Sequence, residues 1–272
     1  MVSFATIVGL GAIAGFTIYF GLAASKIRIM KIQTRYVLSA IATGILIFLI
    51  YDVLSNSWSL VENSVLAYAA SGGSPGTAIE YLLVFFAGLG FGVLGLSAYE
   101  RHYVSMPSRN GNGVPGSRVS TDPYRFSMMI AVGIGAHNFG EGLAIGNSFA
   151  SGAISLALVL VIGFGLHNST EGFGIMGPLV KQSETPSNRF LLYAGLVGGG
   201  PTFLGTVIGS FWASDIAKIL FLSFAAGALI YVTLVMYRSI EGSLPGGRLM
   251  GGIFTGITLG FLTDLIVSIG GA

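Results

Sequence analysis

The sequence contains no cysteine and very few charged residues. Without cysteine there are no disulfides, no thiolate metal sites and no thiol catalysis, so a bound metal must be held by nitrogen, oxygen or thioether ligands. Lysine, arginine, aspartate and glutamate make up 9% of the 272 residues, whereas a soluble domain has about 25%. So little charge cannot cover a surface in water, and a soluble globular protein is therefore excluded.

The rest of the composition points to a lipid environment. Hydrophobic residues make up 53% of the chain, and the mean hydropathy is +0.81. A chain this apolar is not disordered in water, and its net charge of +2 gives no support for a nucleic-acid partner. The composition predicts an integral membrane protein embedded in a bilayer.

Eight apolar runs are each long enough to cross a membrane, which takes roughly 20 residues in a helix that satisfies its own backbone hydrogen bonds. The eight predicted helices, numbered in chain order, cover about 3–25, 36–57, 81–98, 126–149, 154–180, 190–212, 216–237 and 249–272. A short turn over 147–152 joins helices 4 and 5. The expected fold is an all-α polytopic membrane protein, with one transmembrane domain over 1–272.

Basic residues fall almost entirely on one side of these helices, and they indicate the orientation. Twelve of the 13 follow helices 1, 3, 5 and 7: Lys26, Arg28, Lys31, Arg35, Arg101, Arg109, Arg118, Arg125, Lys181, Arg189, Arg238 and Arg248. Only Lys218 lies on the other side. Because basic residues are retained in the cytoplasm, both termini are predicted to be extracytoplasmic, with a flexible cytoplasmic loop over about 101–125.

Six ionisable side chains lie inside the predicted helices. They are Asp52, His137, Glu141, His167, Glu171 and Asp264. A charge in the bilayer centre costs on the order of 3 kcal/mol, so such groups normally serve function or have a partner. Asp52 is predicted to act in the passage of a cation or proton. For Asp264 that role and a hydrogen-bonded structural carboxylate are equally open.

Helices 4 and 5 carry the same motif, H-N-x-x-E-G, at 137–142 and again at 167–172. In each copy the histidine and the glutamate are four residues apart, so they share one helix face. The short turn favours contact between the two helices, and counting from the basic residues places both copies near mid-membrane. Two imidazoles and two carboxylates then form a cage suited to Zn²⁺, Fe²⁺ or Mn²⁺. The alternative to a metal site is that these side chains make structural polar contacts between the two helices. For Asn138 and Asn168 two roles are open: they serve a second, neighbouring metal position, or they bridge helices.

With these motifs the sequence resembles the prokaryotic-type ZIP (zinc/iron permease, Zrt/Irt-like) family of divalent-metal transporters. That family carries H-N-x-P-E-G in its fourth helix and a matching motif in its fifth, and the stretch 224–232 is similar to its seventh helix. The resemblance implies a principal metal position and an adjacent second one. The implied metal residues are His137, Glu141, His167 and Glu171 at the first, Asn138 and Asn168 at the second, and Asp52 nearby.

The sequence departs from the family pattern in two places. Gly140 and Thr170 replace the motif prolines, so a backbone break would have to come from the glycines of helix 4 or be weaker in helix 5. Gly200 and Pro201 stand where many members have a Glu-Pro pair, and glycine supplies no carboxylate. Either the second position is lost, or a break at Pro201 frees carbonyls that replace the carboxylate. Our hypothesis is one strong metal position with a weaker, neutral neighbour.

The predicted function is transport of divalent transition metals into the cytoplasm, with Zn²⁺ favoured and Fe²⁺, Mn²⁺ and Cd²⁺ also accepted. The metal is the substrate, no cofactor is expected, and the protein is predicted not to be an enzyme. The alternative is an intramembrane zinc-dependent hydrolase, but the H-E-x-x-H base position holds Asn138 or Asn168, which cannot accept a proton. The expected location is the cell (plasma or inner) membrane, and a homodimer is an open alternative.

Overall fold

A computed structural model of the chain describes residues 3–24, 32–71, 75–101, 105–106, 120–179, 185–211 and 214–269. Apart from one antiparallel pair of two-residue strands, Ser105–Met106 with Ser120–Thr121, the regular structure within these ranges is helical. Eight of the described helices are long and apolar enough to cross a membrane. The predicted all-helical fold with eight spans is confirmed, and the protein is a multi-pass membrane protein.

The helix bounds follow the predicted runs with a few differences. Helix 1 has two segments, Phe4–Phe16 and Ile18–Ala24, and the others are Ile32–Ser71, Pro75–Tyr99, Pro123–Ala150, Ile154–Met176 with a 3-10 turn at Gly177–Leu179, Asn188–Gly209, Asp215–Ile240 and Gly246–Ile269. Helix 2 is far longer than its apolar run and continues as far as Ser71. Helix 4 runs to Ala150, so the turn to helix 5 begins at Ser151, later than predicted.

Short polar residues begin several helices because their side-chain oxygens accept hydrogen bonds from otherwise unpaired backbone N–H groups. Asp122 accepts from the Tyr124 amide at 2.9 Å and precedes Pro123, whose fixed φ suits the first helical position. Ser187 and Ser214 cap helices 6 and 7 in the same way. These caps fix where the membrane helices start on both sides of the bundle.

Most of the loop predicted over 101–125 lies outside the described residues. So do half of the basic residues used for the orientation: Lys26, Arg28, Lys31, Arg109, Arg118 and Lys181. The described basic residues of that set lie near the starts of helices 2, 4, 6 and 8 or the ends of helices 3 and 7. Because consecutive spans alternate in direction, these positions share one side of the bundle.

Helices 1, 4, 5 and 6 form one group, in which glycines bring backbones into direct contact. A Cβ at Gly142 of helix 4 would collide with the Thr202 carbonyl of helix 6, and one at Gly205 would collide with the Phe139 carbonyl. Helix 1 packs at Gly15 against helix 6 and at Gly21 against helix 5 in the same manner. Small residues allow this close approach, which drives helix association in lipid.

Helices 2, 3, 7 and 8 form a second group built on the same principle. Gly44 and Gly256 join helix 2 to helix 8, and Gly92 and Gly227 join helix 3 to helix 7, each without room for a Cβ. Helices 2 and 7 also pack closely within this group. Glycines therefore hold each group together at the level of the backbone.

Where the two groups meet, larger side chains make the contacts. The rings of Phe139 and Phe221 lie 4.6 Å apart between helices 4 and 7. At Gly133 and Gly140 of helix 4, the nearest atoms across the interface belong to the side chains of Val232 and Leu222. The interface between the groups thus differs in kind from the packing inside them.

Candidate metal centre

The two copies of the repeated motif meet in the buried middle of helices 4 and 5. The Nε2 atom of His137 lies 3.2 Å from Oε1 of Glu141 and 4.0 Å from Oε1 of Glu171. The Nε2 atom of His167 lies 3.9 Å from the same Glu171 oxygen. The same two helices are also joined by a hydrogen bond from the Ser127 hydroxyl of helix 4 to the Ile175 carbonyl of helix 5. The predicted convergence of the four side chains is what the geometry shows.

Three of these side chains can direct one ligand atom each into a common space. Ligand atoms of His137, His167 and Glu171 all lie within 4.8 Å of one another. Ligands at about 2.0–2.2 Å around a tetrahedral Zn²⁺ are separated by about 3.4 Å, so small side-chain movements would close the shell. Glu141 joins the group through its contact with His137. The donor set, two nitrogens and carboxylate oxygens, suits Zn²⁺ and related divalent metals.

Several polar atoms of this cluster are buried and lack hydrogen-bond partners among the described residues. His137 is 2% exposed and Glu171 is 1% exposed. Five buried atoms of the cluster have no hydrogen-bond partner in the described part of the chain: Nδ1 and Nε2 of His137, Oε2 of Glu141, Nε2 of His167 and Oε1 of Glu171. Leaving such atoms unpaired in an apolar interior is costly, and nearly all buried polar groups in proteins have partners. A bound cation would provide a partner for one nitrogen of each imidazole and for the carboxylate oxygens.

Asn138 ties the cluster to helix 6. Its side-chain amide donates to Oε2 of Glu171 and to the Gly198 carbonyl, each at 2.9 Å. The first bond leaves Oε1 of Glu171 facing the two imidazoles. Oδ1 of Asn138 is buried and has no hydrogen-bond partner in the described part of the chain. Its amide nitrogen therefore bridges helices 4, 5 and 6, and only its oxygen remains as a potential ligand.

Asn168 occupies the equivalent position on helix 5 but has different partners. Its amide donates to the Ala14 carbonyl of helix 1 at 3.0 Å and lies 3.5 Å from Oγ1 of Thr202 on helix 6. Its Oδ1 is also buried without a partner among the described residues. Both asparagines thus contact helix 6, one turn apart at Gly198 and Thr202, and Asn168 also links the motif to helix 1.

The expected backbone break at Pro201 is not found. Helix 6 continues through Pro201 without interruption, and helix 4 is likewise continuous through its glycine-rich motif. Proline has no N–H for the Val197 carbonyl four residues earlier, and that carbonyl lies instead against Gly135 of helix 4. Because residue 135 is a glycine, helix 4 leaves room for this carbonyl, and helix 6 continues past the proline. The helix 6 carbonyl that contacts the motif is that of Gly198, which accepts a hydrogen bond from the Asn138 side chain.

A cavity of about 420 Å³ leads from the cluster toward the side of the bundle opposite most basic residues. It is lined at its inner end by His137, Glu141 and His167, and further out by Asp52 and Asp264. The prediction that both aspartates lie near the outer edge of the metal layer agrees with these positions. Glu171 is not part of the lining and lies beneath the cavity floor, since its carboxylate is wholly buried.

Among the cavity residues that were not predicted from the sequence, three bear on the site. Asn56 donates to Oδ1 of Asp52 at 2.9 Å, and the ring of Phe48 lies 6.5 Å from that of His167. Lys218 of helix 7 is the third. Asn56 and Phe48 are each four residues from Asp52, so the shared face of a helix was a signal that could have identified them.

Comparison with known proteins bears on the same stretch of chain. The sequence model of a family described as ZIP Zinc transporter matches residues 107–237, which include both copies of the motif. A search of curated proteins returns no significant match.

Proposed function

Because the chain belongs to the ZIP family of zinc transporters, we propose that it moves Zn²⁺ into the cytoplasm through the cluster of helices 4 and 5. Family membership and the buried His/Glu cluster make this a divalent-metal transporter of the membrane. The finer proposal is that Zn²⁺ is preferred, that Fe²⁺, Mn²⁺ and Cd²⁺ are also carried, and that the ligands are His137, Glu141, His167 and Glu171. The metal is the cargo and no resident cofactor is involved.

The observation that carries this proposal is the set of unpaired donor atoms in the cluster. Two neutral imidazoles and two carboxylates offer a net charge of −2 to a divalent cation. A carrier has to release its ion, and nitrogen and oxygen ligands hold Zn²⁺ less tightly than thiolates do. The same cluster without a cation leaves several buried polar atoms unsatisfied, so a bound divalent cation would stabilise it.

We further propose one strong metal position with a weak neutral neighbour. The neighbour would be formed by the free Oδ1 atoms of Asn138 and Asn168, since Gly200 brings no carboxylate to helix 6. Both amide nitrogens are engaged in bonds between helices, which limits how far either side chain can turn. A position lined only by neutral oxygens binds a divalent transition metal far more weakly than the main cluster.

The route that we propose leads from the cavity to the cluster. Asp52 and Asp264 would attract the cation at the outer end and pass it inward to His137 and Glu141. The distribution of basic residues supports an extracytoplasmic position for this outer end and for both termini. In this arrangement the cavity represents a state that is open to the outside.

The two helix groups suggest how access could alternate. The proposed ligands belong to helices 4 and 5 of one group, whereas Asp52 and Asp264 belong to the other. Inside each group the backbones pack directly on one another, whereas side chains make the contacts between the two groups. Each group can therefore move as a unit, and relative movement of the two groups would carry the ligands past the aspartates. The cavity would then close on one side and open on the other.

Catalysis is not part of the proposal. A zinc hydrolase of the H-E-x-x-H type needs a carboxylate directly after the first histidine, and here Asn138 and Asn168 hold that position with their amides bonded to other helices. We also propose that the protein resides in the plasma or inner membrane and functions as a homodimer. Membrane fractionation and crosslinking in native membranes test those two points.

Uptake of radioactive zinc, iron, manganese and cadmium into proteoliposomes tests the function. Wild-type protein should accumulate zinc, whereas His137→Ala and Glu171→Gln should reduce uptake by more than tenfold. Glu62→Gln is the matched control, because it removes a carboxylate from an exposed position of helix 2 away from the cavity. Unchanged uptake in both cluster variants would show that the assigned pathway is wrong.

A further inference from the structure

The position of Lys218 is unusual in two respects. It is the only basic residue that the sequence places on the outer side of the membrane helices, and it lines the cavity that leads to the metal cluster. A positive charge in the passage of a divalent cation works against binding, so its presence there calls for a physical role. The transport mechanism described above does not use it.

Helix 7 holds this lysine directly above the cluster. Leu222, one turn further along the same face, also lines the cavity, and its side chain is the nearest contact of Gly140. Gly140 precedes Glu141, so Leu222 marks the level of the metal ligands. Four residues of helix rise by about 6 Å, which places Lys218 one turn outward of that level.

Lys218 shares its cavity with several carboxylates but forms no ion pair with them within the described residues. Asp52, Glu141 and Asp264 line the same cavity, and Asp215 lies in the first turn of helix 7. Among the residues that the structure describes, no ion pair joins Lys218 to any of these groups. Asp52 has Asn56 as its hydrogen-bond partner instead. Lys218 is half-buried, and its positive charge acts on the cavity without an ion-pair partner in the described part of the chain.

We propose that Lys218 is a tethered cation that weakens metal binding in the outer cavity, so that the metal does not dwell at Asp52 and Asp264 and moves on to the histidines. This inference rests on the proposed function. Conduction requires sites that are attractive enough to be reached and weak enough to be left. Two aspartates alone would form an oxygen-lined trap for a divalent ion, and one fixed positive charge offsets part of that attraction.

The size of the effect follows from electrostatics. A monovalent and a divalent charge about 8 Å apart in water repel by an amount that corresponds to about a sixfold change in binding. Salt reduces this at a Debye length of about 10 Å in 0.1 M solution. The repulsion is twice as strong for a divalent ion as for a monovalent one, so Lys218 acts chiefly on the transported metals.

The test compares zinc uptake kinetics of the full-length protein in proteoliposomes at low and high ionic strength. Lys218→Met should lower KM by roughly two- to sixfold at low ionic strength, and the difference should shrink in high salt. Lys218→Arg should retain the wild-type KM. Arg189→Gln is the matched control, since it removes one positive charge from the opposite side of the bundle and should leave KM unchanged.

Calorimetric titration of Zn²⁺ into the same purified variants gives a second readout that does not depend on transport. A lower Kd for Zn²⁺ in Lys218→Met than in the wild type supports the inference, whether or not the wild type transports metal. Absence of metal uptake by the wild type would overturn the proposed function and leave this inference standing. Uptake by the wild type together with an unchanged or raised KM in Lys218→Met overturns the inference alone. If Lys218→Met does not yield monodisperse protein, Lys218→Gln takes its place with the same criteria. A Lys218→Arg variant that behaves like Lys218→Met also overturns it.

Discussion

The side-chain amide of Asn138 donates a hydrogen bond to Glu171, and so connects the first copy of the repeated motif to the second. The bond fixes one carboxylate oxygen and leaves the other toward His137 and His167. A group that orients a metal ligand in this way typically contributes 10- to 100-fold to metal affinity. Asn138 is therefore central to the first prediction.

Asn138→Ala should weaken Zn²⁺ binding by roughly 10- to 100-fold while the protein still folds. The reason is that Glu171 loses the donor that holds its Oε2 atom, and its carboxylate can turn away from the imidazoles. Calorimetric titration of zinc measures the change, with Asn147→Ala near the end of the same helix as the control. Equal affinities in Asn138→Ala and wild type would contradict a positioning role.

The wild type should bind one zinc ion tightly per chain, and Gly200→Glu should not add a second. A Cβ at Gly200 meets no atom within 4 Å, and Leu196 and Leu204, one turn to either side on the same helix face, are 44% and 53% exposed. A carboxylate at position 200 would therefore lie on the exposed face of helix 6, whereas Asn138 and Asn168 contact that helix at Gly198 and Thr202. Metal analysis of the purified protein checks the stoichiometry, and Gly200→Ala controls for the added Cβ. Two tight ions in the wild type would refute the single strong position.

Gly142→Ala should destabilise the protein by about 1–3 kcal/mol, because the added methyl group overpacks the contact of helices 4 and 6. Its Cβ would lie 2.8 Å from the Thr206 nitrogen. Gly9→Ala is the matched control, since open space surrounds that position on helix 1 and alanine favours the helix. Thermal unfolding in detergent compares the two variants. Similar midpoints would mean that the glycine contacts do not hold the first group together.

Asp52→Asn should raise the KM of zinc uptake several-fold and have little effect on zinc binding to the purified cluster. The variant keeps its size and its contact with Asn56 but loses the charge that attracts the cation into the cavity. Asp215→Asn, an exposed position at the start of helix 7, serves as the control. A change in the cluster affinity as large as the change in KM would assign Asp52 to the main metal position instead.

Much of the site was predictable because its main residues lie close together in the sequence. The repeated motif sets each histidine and glutamate on one face by helical spacing alone, and the short turn between helices 4 and 5 brings the two copies together. The partners of Asn138 and Asn168 were not predictable, because they depend on how helices 1 and 6 pack on the motif. The same holds for Lys218, whose position in the cavity depends on the packing of helix 7.

Two features of the fold also differ from their sequence signals for physical reasons. The apolar run of helix 2 ends near Ser57, but polar residues can continue a helix outside the bilayer, so hydropathy underestimates its length. At Pro201 the local rule predicts a break, whereas the helix continues and a glycine of the neighbouring helix leaves room for the Val197 carbonyl, to which Pro201 cannot donate. In both cases the surroundings of the helix, and not its own residues, decide the outcome.

The length of helix 2 has a practical consequence. A 40-residue helix is about 60 Å long, roughly twice the thickness of the hydrocarbon core, so its C-terminal part extends well beyond the membrane. An epitope placed near Ser71 would serve as a marker for sidedness, accessible to an antibody fragment from one face of a sealed vesicle only. The same marker would report the fraction of correctly oriented molecules in every uptake assay, far from the residues that handle the metal.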